Sequence, residues 1–521
     1  MMTWLEKMLT NRYSLVGLLV FLMASSLIVP QVLGEDPGFG LAVWNQMLKG
    51  GIFNTFQVPS ASNIATDDVL FLTWWTPGQY MLPGVLSEFL NLSLGYSGLI
   101  ITLIFSILGL WGWKKVYEYL EFDRTTVALC LFLITTSRLF TINFLNYTGG
   151  ELLLFGSQPW TIWVLLRYHR RYFLLFGVLL VLSLVSFFFK SAYTIGLAAL
   201  GGCAGLQWLN EWKHQKKWIN PPFWTLVAVA ACFVCYFLIT QWGFVQLGTS
   251  PISSTSQPFK IVWESFEILT YPLTHWYSIC EIFAQWRMRY ELASVYYWGY
   301  YLLLILGLLS MIYVFLKTQH IKAKWIFTGF YVVYCGAFLL LYNKGADISI
   351  EYRHTKTVAY LFLPMLVSFL KTPQWSLKIA FMLLWLLNTG YGLGAFVYKK
   401  FETNRQSAVG ESGFSLRDSG KEDIEMVHHL DKPDHILYFT SGSLNVEAKQ
   451  ARKIVGSIDL NFAQSCGFAH RQYQGKGEKL YAFLHKGYTQ LTANPTLEHQ
   501  FPAYTFRLIK QTSQYAIYEG Q

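Results

Sequence analysis

Charged residues are scarce in this sequence. They make up 13% of 521 residues, about half the roughly 25% of an ordinary soluble domain. That scarcity excludes a disordered chain and an ordinary cytosolic enzyme. The 16 prolines and 40 glycines follow no collagen-like period. No internal repeat or low-complexity tract appears. The seven cysteines form no zinc signature. Five of them (Cys130, Cys203, Cys232, Cys235 and Cys335) fall in apolar runs and read as small core residues. Cys280 and Cys466 fall outside those runs, and a bridge between them is left open. The histidines, among them His275, His354 and His428-His429, show no HExxH-like spacing. No nucleic-acid motif is present.

What the sequence has in abundance is apolar and aromatic surface. Hydrophobic residues are 53% and aromatics 18%, with a mean hydropathy of +0.34. A membrane-spanning helix needs about 20 mainly apolar residues. Eleven runs qualify, at about 14–34, 97–113, 125–140, 150–166, 173–189, 193–209, 223–241, 295–316, 325–342, 357–370 and 379–398. The first lacks an obvious cleavage site and reads as an anchor. The fold expected is therefore a mainly α, polytopic membrane protein.

The net charge of +10 is first explained by topology. With the N-terminus inside, the inner loops hold 16 Lys and Arg in 59 residues, and the outer loops hold 9 in 144. Basic residues concentrate on the cytoplasmic side, so this orientation is preferred and the C-terminus lies outside. The run 79–92 is short and carries Pro83 and Glu88; a span there would turn Lys114, Lys115, Arg170 and Arg171 outward, so it reads as an interfacial helix. Residues 1–398 then form the membrane unit, with large outer loops at 35–96 and 242–294. Residues 399–521 are polar, with strand-like runs at 435–440 and 504–509 and a helix-like run at 446–455. They read as a small extracytoplasmic α/β domain.

The middles of the eleven runs are almost free of charge, whereas ion-coupled transporters hold ions near the bilayer centre. Ionisable residues gather instead at the outer ends. Glu35 and Asp36 follow the first run, and the first outer loop continues to Trp74-Trp75-Thr76-Pro77-Gly78. Arg138 opens the second outer loop, and Glu151 opens the run after it. Lys190 sits in a minimal hairpin. Tyr352, Arg353 and His354 precede a run that contains Pro364. Acids at helix starts also serve as caps or dipole partners, and a lysine at a run end commonly snorkels. Lys190 and Arg353, however, lie outside against the positive-inside bias, where they suit a lipid phosphate.

This pattern resembles the GT-C superfamily of integral-membrane glycosyltransferases, in particular protein O-mannosyltransferases and lipid A aminoarabinose transferases. Five features carry the resemblance. They are the acid after the first run, the Trp-Trp-Thr-Pro-Gly run, the acid at Glu151, the Lys at 190, and the Tyr352-Arg353 pair before Pro364. Departures are the Glu-Asp order at 35–36, the lack of Pro after Lys190, and the Tyr-Arg order at 352–353. The resemblance implies transfer of a sugar from a polyprenyl-phosphate donor to a lipid, glycan or protein acceptor at the outer face of a bacterial plasma membrane. It implies Asp36, or Glu35, as the base and Glu151 in a supporting role. Lys190 and Arg353 would hold the phosphate, with Tyr352, His354 and Arg138 as further candidates, and Trp74 and Trp75 would line the lipid cleft. Neither a metal nor another cofactor is required. Competing readings are a lipid or polysaccharide transporter, a membrane scaffold or receptor, and an O-antigen ligase or polymerase. The last is kept open by His275, Arg287 and Arg289 in the loop 242–294.

Overall fold

Apolar runs in lipid must satisfy their backbone internally, and here they do so as helices. The computed structural model describes residues 12–71, 76–168, 171–215, 219–239, 259–279, 282, 294–345, 352–372, 374–417, 419–440, 442–455, 472–486 and 493–521. Among the described residues, fourteen helices of eight residues or more run through this first, membrane-type part. They are α1 (Arg12–Ile28), α2 (Glu35–Leu48), α3 (Gly78–Leu90), α4 (Leu94–Tyr119), α5 (Arg124–Thr136), α6 (Arg138–Leu145), α7 (Gly150–Tyr168), α8 (Tyr172–Phe189), α9 (Tyr193–Gln215), α10 (Pro221–Ile239), α11 (Ser294–Lys317), α12 (Ile321–Asn343), α13 (Lys356–Leu370) and α14 (Trp375–Gln406). Among the described residues, α4, α10, α11, α12 and α14 are long and apolar enough to cross a bilayer.

Three of the expected runs take a different form. The run 14–34 leaves the helix at Ile28, before Pro30, and becomes strand β1 (Val32–Leu33). The run 125–140 is broken at Ser137 into α5 and α6, bent by 44°. The break has a local cause. The hydroxyls of Thr135, Thr136 and Ser137 all donate back to carbonyls of the preceding turn, which bends helices. Finally, α14 continues through residue 398 to Gln406. At about 1.5 Å per residue its 32 residues reach roughly 48 Å, beyond a 30 Å hydrocarbon core. Helix α3 has 13 residues, or about 20 Å, which is short of a span.

One apolar core joins α4, α7, α9, α12 and α13, with Trp113, Tyr117, Phe155 and Tyr360 at its centre. Beyond α14 the chain forms β5 (Ala408–Val409), β6 (Ser415–Leu416), α15 (Lys421–Leu430) and a five-stranded sheet. That sheet contains β7 (His435–Phe439), β8 (Arg452–Val455), β9 (Lys479–His485), β10 (Phe506–Gln511) and β11 (Tyr515–Gly520), in the order β10-β11-β9-β7-β8. Helix α16 (Ala493–Gln500) precedes β10. The expected strands at 435–440 and 504–509 appear as β7 and the start of β10. The expected helix at 446–455 does not form: a short 3-10 turn, Leu444–Glu447, is followed by β8.

The C-terminal unit does not stand apart. Its β7, β8 and α15 share a second core with Leu33 of β1 and with Leu41, Trp44, Phe56 and Tyr80 of the first outer loop. The hairpin β2 (Thr55–Pro59) and β3 (Asp67–Phe71) completes that loop. Gly38, in the first turn of α2, meets the Gly442 carbonyl so closely that an added Cβ would lie 2.1 Å from its oxygen.

Candidate active site

Strand β1 pairs on one side with β4 (Asn146–Tyr147) and on the other with β6, both in parallel. Leu33 lies opposite Tyr147, so the two chains leave the sheet in the same direction, about 4.8 Å apart. One chain turns through Gly34 into α2, whose first residues are Glu35 and Asp36. The other turns through Gly149 and Gly150 into α7, which carries Glu151. Two helix starts bearing acids are thereby set side by side, and the positive end of each helix dipole favours those acids.

Glycine makes the second start fit. Gly149 has φ +51°, a left-handed value that side chains rarely adopt. A Cβ at Gly150 would lie 2.8 Å from Cδ of Lys190. The α7 start can therefore press against the hairpin between α8 and α9. The result is a buried three-charge cluster. Glu151 Oε1 lies 2.7 Å from Lys190 Nζ, and Oε2 lies 2.9 Å from Lys356 Nζ. Lys356 also donates to the Glu151 carbonyl at 2.7 Å. The side chains of Glu151 and Lys356 are 12% and 7% exposed, whereas that of Lys190 is 29% exposed. One carboxylate between two ammonium groups leaves a net charge of +1, presented on the Lys190 side.

The surroundings hold this cluster in place. Thr76 Oγ1 donates to the Phe189 carbonyl at 2.6 Å, and the Tyr147 hydroxyl donates to the Gln79 carbonyl. These two bonds tie the first outer loop to both sides of the site. Thr357, next to Lys356, donates to Gln158 Oε1 at 2.8 Å, and Gln158 Nε2 donates to the Tyr334 hydroxyl at 2.7 Å. The first turn of α13 is thus anchored to α7 and α12.

No family sequence model matches this chain, and no curated protein matches it in sequence. Solved structures do match. ArnT from Cupriavidus metallidurans bound to undecaprenyl phosphate aligns over 97% of each chain at 10% identity, with a TM-score of 0.54. Its apo form aligns over 97% of this chain and 98% of that one at 11% identity, with a TM-score of 0.52. The apo oligosaccharyltransferase of Archaeoglobus fulgidus aligns over 94% of this chain and 71% of that one at 9% identity, with a TM-score of 0.53. This chain shares the fold of these structures.

Within this fold, the expected site residues separate into groups. Glu151 and Lys190 meet directly. Arg353 and His354 lie on the short turn Tyr352–His354 that leads into Lys356. Arg353 is exposed and within electrostatic reach of Lys356, and the His354 ring stacks on Phe338 at 4.9 Å. Arg138 goes elsewhere. Its guanidinium sits 5.6 Å from the centroid of the Tyr391 ring, and α6 carries it roughly 10 Å along its axis from the β4–α7 junction. The backbone of Glu35 and Asp36 opens α2 beside that junction, while their side chains and that of Tyr352 lie outside the described residues. Trp74, Trp75, Cys280, Arg287, Arg289 and Cys466 also lie outside them. His275 is buried with its ring on Trp276.

Lys356 is the residue that sequence reasoning missed. It follows Arg353 by three residues and, like Lys190, is a cation at the end of an apolar run. That position is the signal by which the sequence marks it.

Proposed function

We propose that this protein is a glycosyltransferase of the GT-C type, moving a sugar from a polyprenyl phosphate to an acceptor at the outer face of the plasma membrane. The observation that carries the reading is the Glu151–Lys190–Lys356 cluster beside the acid-bearing start of α2. It couples a fixed, incompletely neutralised cation to a position where a carboxylate base is available. The neighbour ArnT bound to undecaprenyl phosphate supports a long polyprenyl donor here.

The reaction needs three things. The acceptor hydroxyl or amine must lose a proton while its oxygen or nitrogen bonds to the anomeric carbon. The bond from that carbon to the phosphate oxygen must break, with its electron pair leaving on the phosphate. That new charge must be stabilised as it forms. Asp36 takes the proton as base. Lys190, supported by Arg353, receives the phosphate charge. Glu151 is a positioning residue, holding both lysines while Lys356 fixes its carboxylate from the buried side. The membrane helices keep the N-terminus cytoplasmic, and the α/β unit lies on the periplasmic side.

Asp36→Asn, assayed in membranes with a polyprenyl-phosphate sugar donor, is expected to lose about 10²–10⁴-fold in rate, the range of general base catalysis. A wild-type rate from well-folded protein rejects the base assignment. Lys190→Ala should raise the donor KM and slow transfer; unchanged donor dependence removes Lys190 from the phosphate site.

A further inference from the structure

The first outer loop and the C-terminal unit meet along a second seam, at the end of α2 opposite the acid pair. A cleft of about 180 Å³ opens there, between the end of α2, the hairpin β2–β3 and the turn into β8. Four cations line it, Lys49, Lys449, Arg452 and Lys453, against one carboxylate, Asp67. Asn45 and Gln450 add neutral amides.

These cations are not equivalent. Arg452 is fully engaged. Its Nη2 lies 2.6 Å from Asp67, its Nη1 lies 2.7 Å from Glu478, and Nη2 also donates to the Thr66 carbonyl at 2.9 Å. It pins the hairpin to the sheet. Lys453 is buried and donates to two neutral carbonyls, of Asn445 at 3.1 Å and Ala448 at 2.6 Å, so its charge is felt from beneath the cleft. Lys449 lies 2.6 Å from Glu411, but both side chains are more than half exposed. Such an exposed surface pair is weak and yields readily to another anion. Lys49 follows the last turn of α2 and is exposed. The turn bearing Lys449 and Gln450 is rigid, because the backbone N–H groups of Lys449, Gln450 and Ala451 donate to the Asp431 carboxylate at 2.6, 2.8 and 2.7 Å. Two adaptable lysines on a fixed frame, with amides in the same lining, suit an anion joined to hydroxyls better than a bare anion or a neutral sugar.

We propose that this cleft binds an anionic sugar, a hexose carrying a phosphate or a carboxylate, as part of the acceptor. Only its place in the reaction rests on the glycosyl transfer proposed above. Helix α2 spans about 20 Å between the cleft and the acid pair. A substrate longer than one sugar is therefore required to engage both ends, which makes the cleft an anchor remote from the chemistry.

The test uses the full chain purified in detergent and titrated calorimetrically with glucose 6-phosphate, glucuronate, glucose and inorganic phosphate. Glucose 6-phosphate and glucuronate should bind, at least about fivefold more tightly than inorganic phosphate, and glucose should give no measurable heat. Lys49→Glu and Lys449→Glu should each weaken binding about tenfold or more, equivalent to about 1.4 kcal/mol. The distant exposed Lys421→Glu should not. Raising the salt should weaken binding, as expected for exposed charges. The proposal is overturned if no probe binds, if glucose binds as well as its phosphate, if inorganic phosphate matches glucose 6-phosphate, or if both lysine variants bind like the wild type. Because this titration involves no turnover, its failure leaves the transferase reading standing, and inactivity of the enzyme leaves the titration interpretable.

Discussion

Glu151 does at residue scale what neither lysine does alone. It keeps two ammonium groups together in a mostly dry place, so removing its charge leaves them facing each other. Removing one member of a buried ion pair costs about 3–5 kcal/mol. Glu151→Gln should therefore lower the thermal midpoint in detergent and abolish transfer, with Glu151→Asp recovering part of both. A variant as stable as the wild type would show that the cluster has no structural weight. Gly150→Ala is a gentler probe. Its added methyl would lie 2.8 Å from Cδ of Lys190, the flexible part of that chain, and 3.1 Å from the Phe189 carbonyl oxygen, and should displace the ammonium with only a small backbone adjustment. Transfer should fall more than stability. Equal losses would instead locate the effect in the backbone. Glu151 and Lys190 were both legible in the sequence, because charge at the end of an apolar run stands out. Their direct contact was not, since 39 positions and a whole helical hairpin separate them.

At the scale of elements, caps and breaks decide where helices start and stop. Asp123 caps α5: its carboxylate accepts from the Thr126 N–H at 2.9 Å and the Thr126 hydroxyl at 2.6 Å, and lies 2.9 Å from Lys371. Partial burial works against its charge, but these hydrogen bonds and the Lys371 ammonium outweigh it and lower its pKa to about 2. A carboxylate with a depressed folded pKa stabilises above its ordinary pKa and loses that contribution as pH falls through the folded value. Asp123→Ala should cost about 1 kcal/mol at neutral pH, the usual price of a lost N-cap. The difference from wild type should shrink as pH drops from about 4 to about 2; a gap that persists there would deny the charged cap. The run 446–455 teaches the opposite lesson. Its Glu, Ala, Lys and Arg residues favour a helix by propensity. The Asp431 carboxylate takes three of its backbone N–H groups, and β7 pairs with Arg452–Val455. Partners distant in sequence override the local preference.

Across the whole molecule, the C-terminal unit acts as a lid-like partner of the first outer loop rather than an independent appendage. Leu33, Leu41, Trp44 and Phe56 are buried in the same core as Leu437, Phe439 and Phe483, and strand β6 completes the small sheet that orients α2 and α7. Deleting 408–521 should expose that core and loosen the site. The truncated protein is expected to aggregate or unfold at lower temperature in detergent, and to lose transfer even where it survives. An active, monodisperse truncation would show that the loop folds by itself. Arg452→Ala is the milder version, releasing Asp67 and Glu478 together.

By itself, the sequence determined what depends on composition and on charge along the chain. A bilayer admits long uncharged runs as helices, so the membrane character and the gathering of acids and bases at the ends of those runs followed directly. It also determined that the last stretch is polar and partly stranded. Only the tertiary structure decided which charges meet. The parallel pairing of Val32–Leu33 with Asn146–Tyr147, the close approach allowed at Gly150, and the burial of Lys356 against Glu151 all depend on segments that lie far apart along the chain, from 40 to 205 positions. Hydrogen-bond register and packing set those neighbours, and neither is written in the spacing of residues along one strand of chain.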